Sequence, residues 1–141
     1  MKILIIGNGA REHALTWAIS QNPRSTKIYC SPGNAGTTEL ATNVDIDVTS
    51  NNEILEMCLL HSIDLVIVGP EKQFEQGLTN ALKEKNKDIK IYLSDPAGSS
   101  LYNYIENGEL KSEGGSITEG IGSSRITANF AEAKILSLIH I

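Results

Sequence analysis

The chain has 141 residues, of which 40% are apolar and 21% charged, a composition typical of a folded globular domain and not of a disordered or fibrous protein. Seventeen acidic and twelve basic side chains give a net charge of -5, which argues against nucleic acid as a partner because phosphate neutralisation needs excess basic residues. Cys30 and Cys58 form no paired motif, and no apolar run approaches the roughly 20 residues of a bilayer helix. The opening MKILIIGNG is too short for a signal peptide, so we expect a cytoplasmic protein with no membrane partner.

An apolar strand followed directly by a helix opens the chain. Lys2 to Ile6 has apolar residues on both faces, which predicts a strand buried inside a parallel sheet. Arg11 to Ser20 is predicted to be a helix. Its expected apolar stripe consists of Ala14, Leu15, Ala18 and Ile19.

The same alternation of strand and helix continues to Leu93. We predict strands at Lys27 to Cys30, around Val44 and Ile46, at Asp64 to Val68 and at Ile89 to Leu93. Between them we predict one helix from the Ser50–Glu53 capping box to about His61 and another that follows Val68 and ends at about Lys85. Such alternation predicts an α/β domain over residues 1–93, a Rossmann-like, doubly wound parallel sheet.

The segment after Leu93 has a different character. Asp95-Pro96 predicts a turn, and Leu101 to Ile105 predicts a short helix ending near Asn107-Gly108. Glycines are frequent and large apolar side chains few, so residues 94–141 are expected to be a loosely ordered, glycine-rich C-terminal segment.

The loop Gly7-Asn8-Gly9-Ala10-Arg11-Glu12 joins the first strand to the first helix, where free backbone N–H groups favour an anion. A dinucleotide fingerprint needs a third glycine where Glu12 stands, and a carboxylate there repels a pyrophosphate and obstructs close packing of helix on strand. Ser31-Pro32 also replaces the expected acidic residue after the second strand. A single phosphate is the better candidate. Arg11 and His13 are either its side-chain donors or ordinary surface residues.

Three loops, GNGAREHA, SPGNAG and VGPE, follow the carboxyl ends of predicted parallel strands, where doubly wound sheets bind ligands. Each loop alone is explained equally by turn formation. Cys30 and Cys58 are expected to be small buried residues. The three histidines lack metal-ligand spacing and no GxSxG elbow occurs, so neither a metal site nor a nucleophilic serine is predicted.

The stretches MKILIIGNGAREHALTWAI, IYCSPGNAGT, NVDID and IDLVIVGPEKQFEQGL resemble the N-terminal domain of the phosphoribosylamine-glycine ligases, up to about Leu82. The resemblance implies an ATP-dependent ligase of purine biosynthesis that joins glycine to phosphoribosylamine and uses ATP and Mg through an ATP-grasp module. That module has no counterpart in this chain, so the chain alone is expected to be inactive. The residues implied to bind the substrate phosphate are Gly7, Asn8, Gly9, Arg11, Glu12, His13, Pro32, Gly33, Asn34, Gly69, Pro70 and Glu71.

From about Leu82 to residue 134 the sequence resembles a different family, the cysteine synthases, through DPAGSSLYNY and SITEGIG. These are pyridoxal-phosphate enzymes, but the lysine that carries the cofactor has no counterpart, so pyridoxal phosphate is not expected to bind. Residues 135–141 form an apolar tail that resembles neither family. Together these features indicate a chimeric open reading frame joined within Leu82 to Asn86.

Three other functions remain open from the sequence. The chain is compatible with a non-catalytic module that binds a nucleotide or sugar phosphate, with a dehydrogenase-like NAD domain, and with a partial cysteine synthase by its C-terminal half. Titration with phosphoribosyl compounds, adenine nucleotides and NAD discriminates between the first two and the ligase domain.

Overall fold

A computed structural model describes residues 1–69, 77–85, 92–95, 99–113, 126 and 137–140, with 92–95 and 137–140 described by their backbone alone. The contacts divide the chain into two compact units, Met1–Ala81 and Leu82–Ile141. Each unit is described by itself below.

A four-stranded parallel sheet organises the first unit. Its strands are β1 (Lys2–Gly7), β2 (Lys27–Pro32), β3 (Thr42–Asn43) and β4 (Leu65–Val68), in the order β3-β2-β1-β4. Because β1 pairs with both β2 and β4, it lies inside the sheet, which explains its continuous apolar sequence.

Helices cover both faces of this sheet. They are α1 (Ala10–Ser20), the short α2 (Ala35–Thr38) and α3 (Asn51–His61). On the α1 side, Thr16 contacts Cys30 of β2, whereas on the other face His61 of α3 packs against Tyr29 with ring centroids 4.8 Å apart. The predicted α/β, doubly wound parallel fold is thereby confirmed.

Alternate side chains of β1 build the core on the two faces. Ile3 and Ile5 pack with Ile28 and Cys30 of β2, and Ile67 of β4 is packed against this cluster. On the opposite face, Leu4 and Ile6 are fully buried, as is Ile54 of α3. Both cores therefore depend on β1.

The buried face of α1 differs from the predicted apolar stripe. Glu12 and Thr16 are the buried residues of this helix, whereas Ala14 and Ala18 are exposed. The prediction was wrong for the two alanines, whereas Leu15 and Ile19 are half-buried and Ile19 packs against the core cluster of β1 and β2. Small apolar residues give little burial energy, and the hydrogen bonds of two polar side chains decide which face turns inward. Trp17, 59% exposed, lies off that face.

Two elements around the second strand also depart from the expectations. The strand predicted around Val44 and Ile46 lies earlier, at Thr42–Asn43. The unpredicted helix α2 begins at an Asn34 cap, whose side chain accepts a hydrogen bond from the backbone N–H of Thr37. An Asn three residues before a Thr was an available local signal for it.

The predicted Ser50–Glu53 capping box is confirmed for its Ser50 half, whereas the Glu53 carboxylate accepts from the backbone N–H of Asp47. Ser50 accepts a hydrogen bond from the backbone N–H of Glu53, and the helix ends at His61. Its predicted apolar face is confirmed for Ile54 and Leu55, but Leu59 is 72% exposed.

The second unit contains two separate pieces of secondary structure. Strand β5 (Tyr92–Asp95) pairs in parallel with β6 (Ser137–His140), and α5 (Ser100–Asn107) is followed by Gly108 with φ +76°. Helix α4 (Leu78–Lys85) begins in the first unit and ends in the second. The helix predicted near Leu101 is confirmed, and the glycine explains its end.

Two expectations for this region need correction or fall outside the described residues. The strand predicted at Ile89 to Leu93 is described only from Tyr92, and it pairs with β6 rather than joining the four-stranded sheet. The looseness expected of the glycine-rich segment mainly concerns 114–125 and 127–136, which lie outside the described residues. Within the part of the chain described here, no helix is long and apolar enough to cross a bilayer.

Candidate functional site

The ends of three neighbouring strands bring the starts of the three predicted loops to one edge of the sheet, the third loop being described up to Gly69. The backbone N–H of Gly33 donates to the carbonyl of Gly7 over 3.2 Å, and the N–H of Gly69 donates to the carbonyl of Ile6 over 3.0 Å. The β1–α1 loop therefore lies between the other two. This carboxyl edge is where doubly wound sheets bind ligands.

Glu12 lies between the β1–α1 loop and Gly69 after β4, with its side chain only 4% exposed. Its Oε2 accepts a hydrogen bond of 2.7 Å from the backbone N–H of Gly9, the residue that caps α1. A methyl group on Gly7 would come within 2.6 Å of Glu12 Cγ, and one on Gly69 would overlap Glu12 Oε1. The expected obstruction of helix packing does not arise, because the glycines leave room for the carboxylate itself.

Arg11 supplies the positive charge next to this carboxylate. Its Nε donates to Glu12 Oε1 over 3.2 Å, and its side chain is 52% exposed. The ion pair leaves about half of the arginine side chain open to solvent, so Arg11 combines a fixed position with access to a ligand.

Asn34 joins the second loop to the first. Its Nδ2 donates to the carbonyl oxygens of Asn8 and Gly9 over 3.0 and 3.1 Å, while its Oδ1 accepts from the backbone N–H of Thr37 over 3.0 Å. Both the nitrogen and the oxygen of the side-chain amide are thus hydrogen-bonded to backbone groups of the protein. Asn34 therefore fixes the second loop against the first rather than presenting free donors to a ligand.

A second asparagine supports that connection. Asn43 of β3 donates through Nδ2 to the carbonyl of Asn34 over 2.9 Å, and a side chain on Gly33, which has φ +72°, would overlap the Asn43 amide. Sequence reasoning missed Asn43, whose side-chain hydrogen-bond partners Thr37, Thr38 and Asn34 lie five to nine residues away. It also missed Thr37, whose Oγ1 accepts from the backbone N–H of Asn34 over 2.8 Å.

His13 lies on the exposed side of α1, next to α2. A methyl group on Gly36 would come within 2.5 Å of the imidazole Cε1, so the ring lies directly against that glycine. Pro32 is exposed at the end of β2, beside Gly7 in the strand register. Pro70 and Glu71, also predicted at the site, lie outside the described residues.

The thiols take no part in this site. Burial raises the pKa of Cys30, whose Sγ lies 3.2 Å from Thr16 Oγ1, and burial raises the pKa of Cys58 to about 11. A raised pKa keeps both groups protonated and unreactive near neutral pH. Cys30 is confirmed as a buried core residue, and Cys58 is half-buried.

The chemistry available at this edge is binding of a small polar ligand. Arg11 offers a cation, His13 a ring with two nitrogens, and Asn8 an exposed polar side chain. Across the described ranges, no three His, Cys, Asp or Glu side chains are grouped to hold a metal ion.

Comparison with known proteins identifies what residues 1–101 resemble. They match the family model described as the N domain of phosphoribosylglycinamide synthetase. The phosphoribosylamine-glycine ligase of Rhizobium meliloti is 47% identical over 101 residues, which cover 72% of this chain and 23% of the relative. The ligase of the same name from Clostridium acetobutylicum is 40% identical over 101 residues, covering 72% of this chain and 24% of the relative.

A cyanobacterial relative gives the same result. The phosphoribosylamine-glycine ligase of Synechocystis is 42% identical over 103 residues, covering 72% of this chain and 24% of the relative. The chain therefore spans about a quarter of the length of these curated relatives.

Proposed function

The chain belongs to the family of phosphoribosylglycinamide synthetase N domains, and from this premise we propose that its first 101 residues serve an ATP-dependent ligase that joins glycine to phosphoribosylamine in purine biosynthesis. The observation that carries the proposal is the convergence of the described loops around the paired Arg11 and Glu12. In this proposal the carboxyl edge of the sheet binds phosphoribosylamine.

The proposed ligand-binding surface consists of the residues predicted from the sequence. Their contacts separate side chains that can reach a ligand from side chains that support the loops. Arg11 and His13 are the side chains available to a ligand, while Glu12 and Asn34 support the loops through hydrogen bonds to backbone groups. The complete proposed set is Gly7, Asn8, Gly9, Arg11, Glu12, His13, Pro32, Gly33, Asn34, Gly69, Pro70 and Glu71.

ATP and Mg belong to the proposed reaction of the whole ligase. The described residues of this chain do not fit the metal, since they lack a cluster of three metal-binding side chains. We assign no reaction step to these groups here. The 141-residue chain alone is proposed to bind a substrate without hydrolysing ATP.

Titration calorimetry with ribose 5-phosphate tests the binding part of this proposal. Ribose 5-phosphate carries the sugar and phosphate of phosphoribosylamine, and it should bind saturably, whereas ADP and NAD should not compete. Arg11→Ala should weaken the binding about tenfold, because a charged hydrogen-bond donor is lost. Arg24→Ala is the matched control, since Arg24 is an exposed arginine that precedes the amino end of β2. Absence of binding to the unmodified chain would contradict the proposal.

A separate proposal concerns the C-terminal part. We propose that it derives from a cysteine synthase-like sequence that does not bind pyridoxal phosphate. The stretches DPAGSSLYNY and SITEGIG of the sequence support this proposal. The family match continues to residue 101, beyond the junction predicted within Leu82 to Asn86, so we propose instead a junction between Leu82 and Leu101.

One uninterrupted sequencing read of the source DNA across these codons tests the chimera. We expect the ligase-like and the cysteine synthase-like parts to lie at two separate loci, each within a longer gene of its own family. A continuous read with flanking genes on both sides would instead establish a genuine fusion.

A further inference from the structure

We propose that Glu12 determines ligand specificity: its buried carboxylate is an internal anion that keeps a diphosphate away from the N terminus of α1. The inference deepens the proposed function, since it concerns which phosphate compounds the same loops accept. It rests on the geometry around Gly9 and does not require that the ligand be phosphoribosylamine.

Glu12 stands where the dinucleotide fingerprint has its third glycine. With glycine at this position, residues 7–12 would read G-N-G-A-R-G and complete the dinucleotide fingerprint G-x-G-x-x-G. In that fingerprint the diphosphate lies against the N-terminal N–H groups of the helix. The chain therefore differs from a diphosphate-binding loop by one residue at the critical point.

The carboxylate already makes contacts that a diphosphate would make. Glu12 Oε2 lies 2.7 Å from the backbone nitrogen of Gly9. The space that Gly7, Gly9 and Gly69 leave by lacking side chains is filled by the Glu12 side chain. In this loop the glycines accommodate an internal carboxylate instead of an external phosphate.

Charge adds to the steric exclusion. Glu12 carries its negative charge at the positive end of α1, in a position only 3% exposed, where solvent screens it weakly. A diphosphate at the helix N terminus would lie within a few ångströms of this charge and be repelled. A ligand with one phosphate can instead approach the exposed part of Arg11, whose Nε is held by the same carboxylate. Glu12 accordingly disfavours a diphosphate at the helix N terminus and leaves Arg11 accessible to a single phosphate.

Four forms of the full chain test the inference: the unmodified protein, Glu12→Gln, Glu12→Gly and the control Glu53→Gln. Glu53 is also the third residue of its helix and also accepts a backbone hydrogen bond, from Asp47 over 2.8 Å, but it is exposed at the start of α3. Inorganic pyrophosphate and ribose 5-phosphate are titrated separately, with the amide resonance of Gly9 followed by NMR. Circular dichroism checks that each variant is folded, and Glu12→Gln keeps the side-chain size if Glu12→Gly unfolds.

Pyrophosphate should bind Glu12→Gln about tenfold more tightly than the unmodified chain, since one nearby like charge is removed. It should bind Glu12→Gly more tightly still and shift the Gly9 amide, whereas Glu53→Gln should behave like the unmodified chain. Equal pyrophosphate affinities of the unmodified chain and both Glu12 variants, whether measurable or undetectable, would overturn the proposal. So would a pyrophosphate-induced shift of the Gly9 amide in the unmodified chain.

Ribose 5-phosphate separates this inference from the proposed function. If it fails to bind the unmodified chain while the pyrophosphate result holds, the proposed substrate is wrong and the role of Glu12 stands. If it binds but the pyrophosphate affinities are equal, the substrate proposal stands and the role of Glu12 is wrong.

Discussion

Helices α1 and α3 have the same length and carry a glutamate at the same position, yet the two glutamates have different environments. Glu12 and Glu53 are each the third residue of an 11-residue helix. Glu12 is 3% exposed and accepts from its own capping residue Gly9, whereas Glu53 is exposed and accepts from Asp47 before the helix.

The residues that face each helix start account for the difference. The start of α1 lies against Gly7 and Gly69 at the ends of two strands, and their missing side chains admit the carboxylate. The start of α3 is capped by Ser50, whose hydroxyl accepts from the backbone N–H of Glu53 over 3.4 Å. One acidic residue near a helix N terminus thus stabilises a helix in α3, whereas in α1 it fills the space between the loop after β1 and Gly69 after β4.

The largest expected effect comes from closing the space around Glu12. Gly7→Ala should lower the free energy of unfolding by about 3–5 kcal/mol, from backbone strain and overpacking together. Gly7 has φ +135°, and the new methyl group would come within 2.6 Å of Glu12 Cγ. Urea denaturation followed by circular dichroism measures the loss.

Gly77→Ala is the control for that measurement. Gly77 also has positive φ, +72°, but among the described residues beyond its chain neighbours nothing lies within 4 Å of an added methyl group. Only the conformational cost should remain, about 1 kcal/mol. Similar losses for the two variants would show that the crowding by Glu12 is unimportant.

Removing the two glutamates compares the helix starts directly. Glu12→Ala should lower the free energy of unfolding by about 2 kcal/mol, because a buried side chain and its charged hydrogen bond are lost. Glu53→Ala should cost less than about 1 kcal/mol, since an exposed hydrogen bond is replaced by water. Chemical denaturation of both variants under one condition measures the difference, and a greater loss for Glu53→Ala would reverse the comparison.

Asn34 tests whether the loops around α1 are held by side-chain donors. Asn34→Asp keeps the acceptor for the Thr37 N–H but replaces the amide that donates to the carbonyls of Asn8 and Gly9. A loss of about 1–2 kcal/mol is expected from these two bonds. Hydrogen exchange should accelerate at Gly9 and leave α3 unchanged.

Asn22→Asp serves as its control, because the Asn22 Oδ1 only accepts, from the backbone N–H of Arg24 over 3.0 Å, and aspartate preserves that bond. The idea that Asn34 holds the loops fails if both substitutions have the same effect.

The smallest expected effect concerns pH and the half-buried thiol of α3. Burial raises the pKa of Cys58 to about 11, so the folded chain keeps this proton at pH values where the unfolded chain loses it. The stability contributed by the neutral thiol is therefore present below about pH 9 and is lost as pH rises toward 11. Thermal melts across this range should show a shallower decline for Cys58→Ala than for the unmodified chain. Parallel declines would contradict the assignment.

Several elements were predictable from the sequence because their causes are local. The apolar run of β1, the Ser50 cap of α3, and Gly108 after α5 all act within a few residues, and the structure has these elements near the predicted positions. The alternation of these elements was also sufficient for the doubly wound fold, because parallel strands require crossover connections.

The environment of Glu12 was decided only by the tertiary structure. Sequence reasoning predicted that a carboxylate at this position repels a diphosphate, and it expected the side chain to obstruct helix packing, whereas the structure has it buried between glycines. The reason is the distance along the chain: Gly69, which leaves room for the carboxylate, lies 57 residues beyond Glu12. Asn34 likewise reaches Asn8 across 26 residues. Local patterns predict helices and strands, whereas burial of a charge depends on neighbours that only folding brings together.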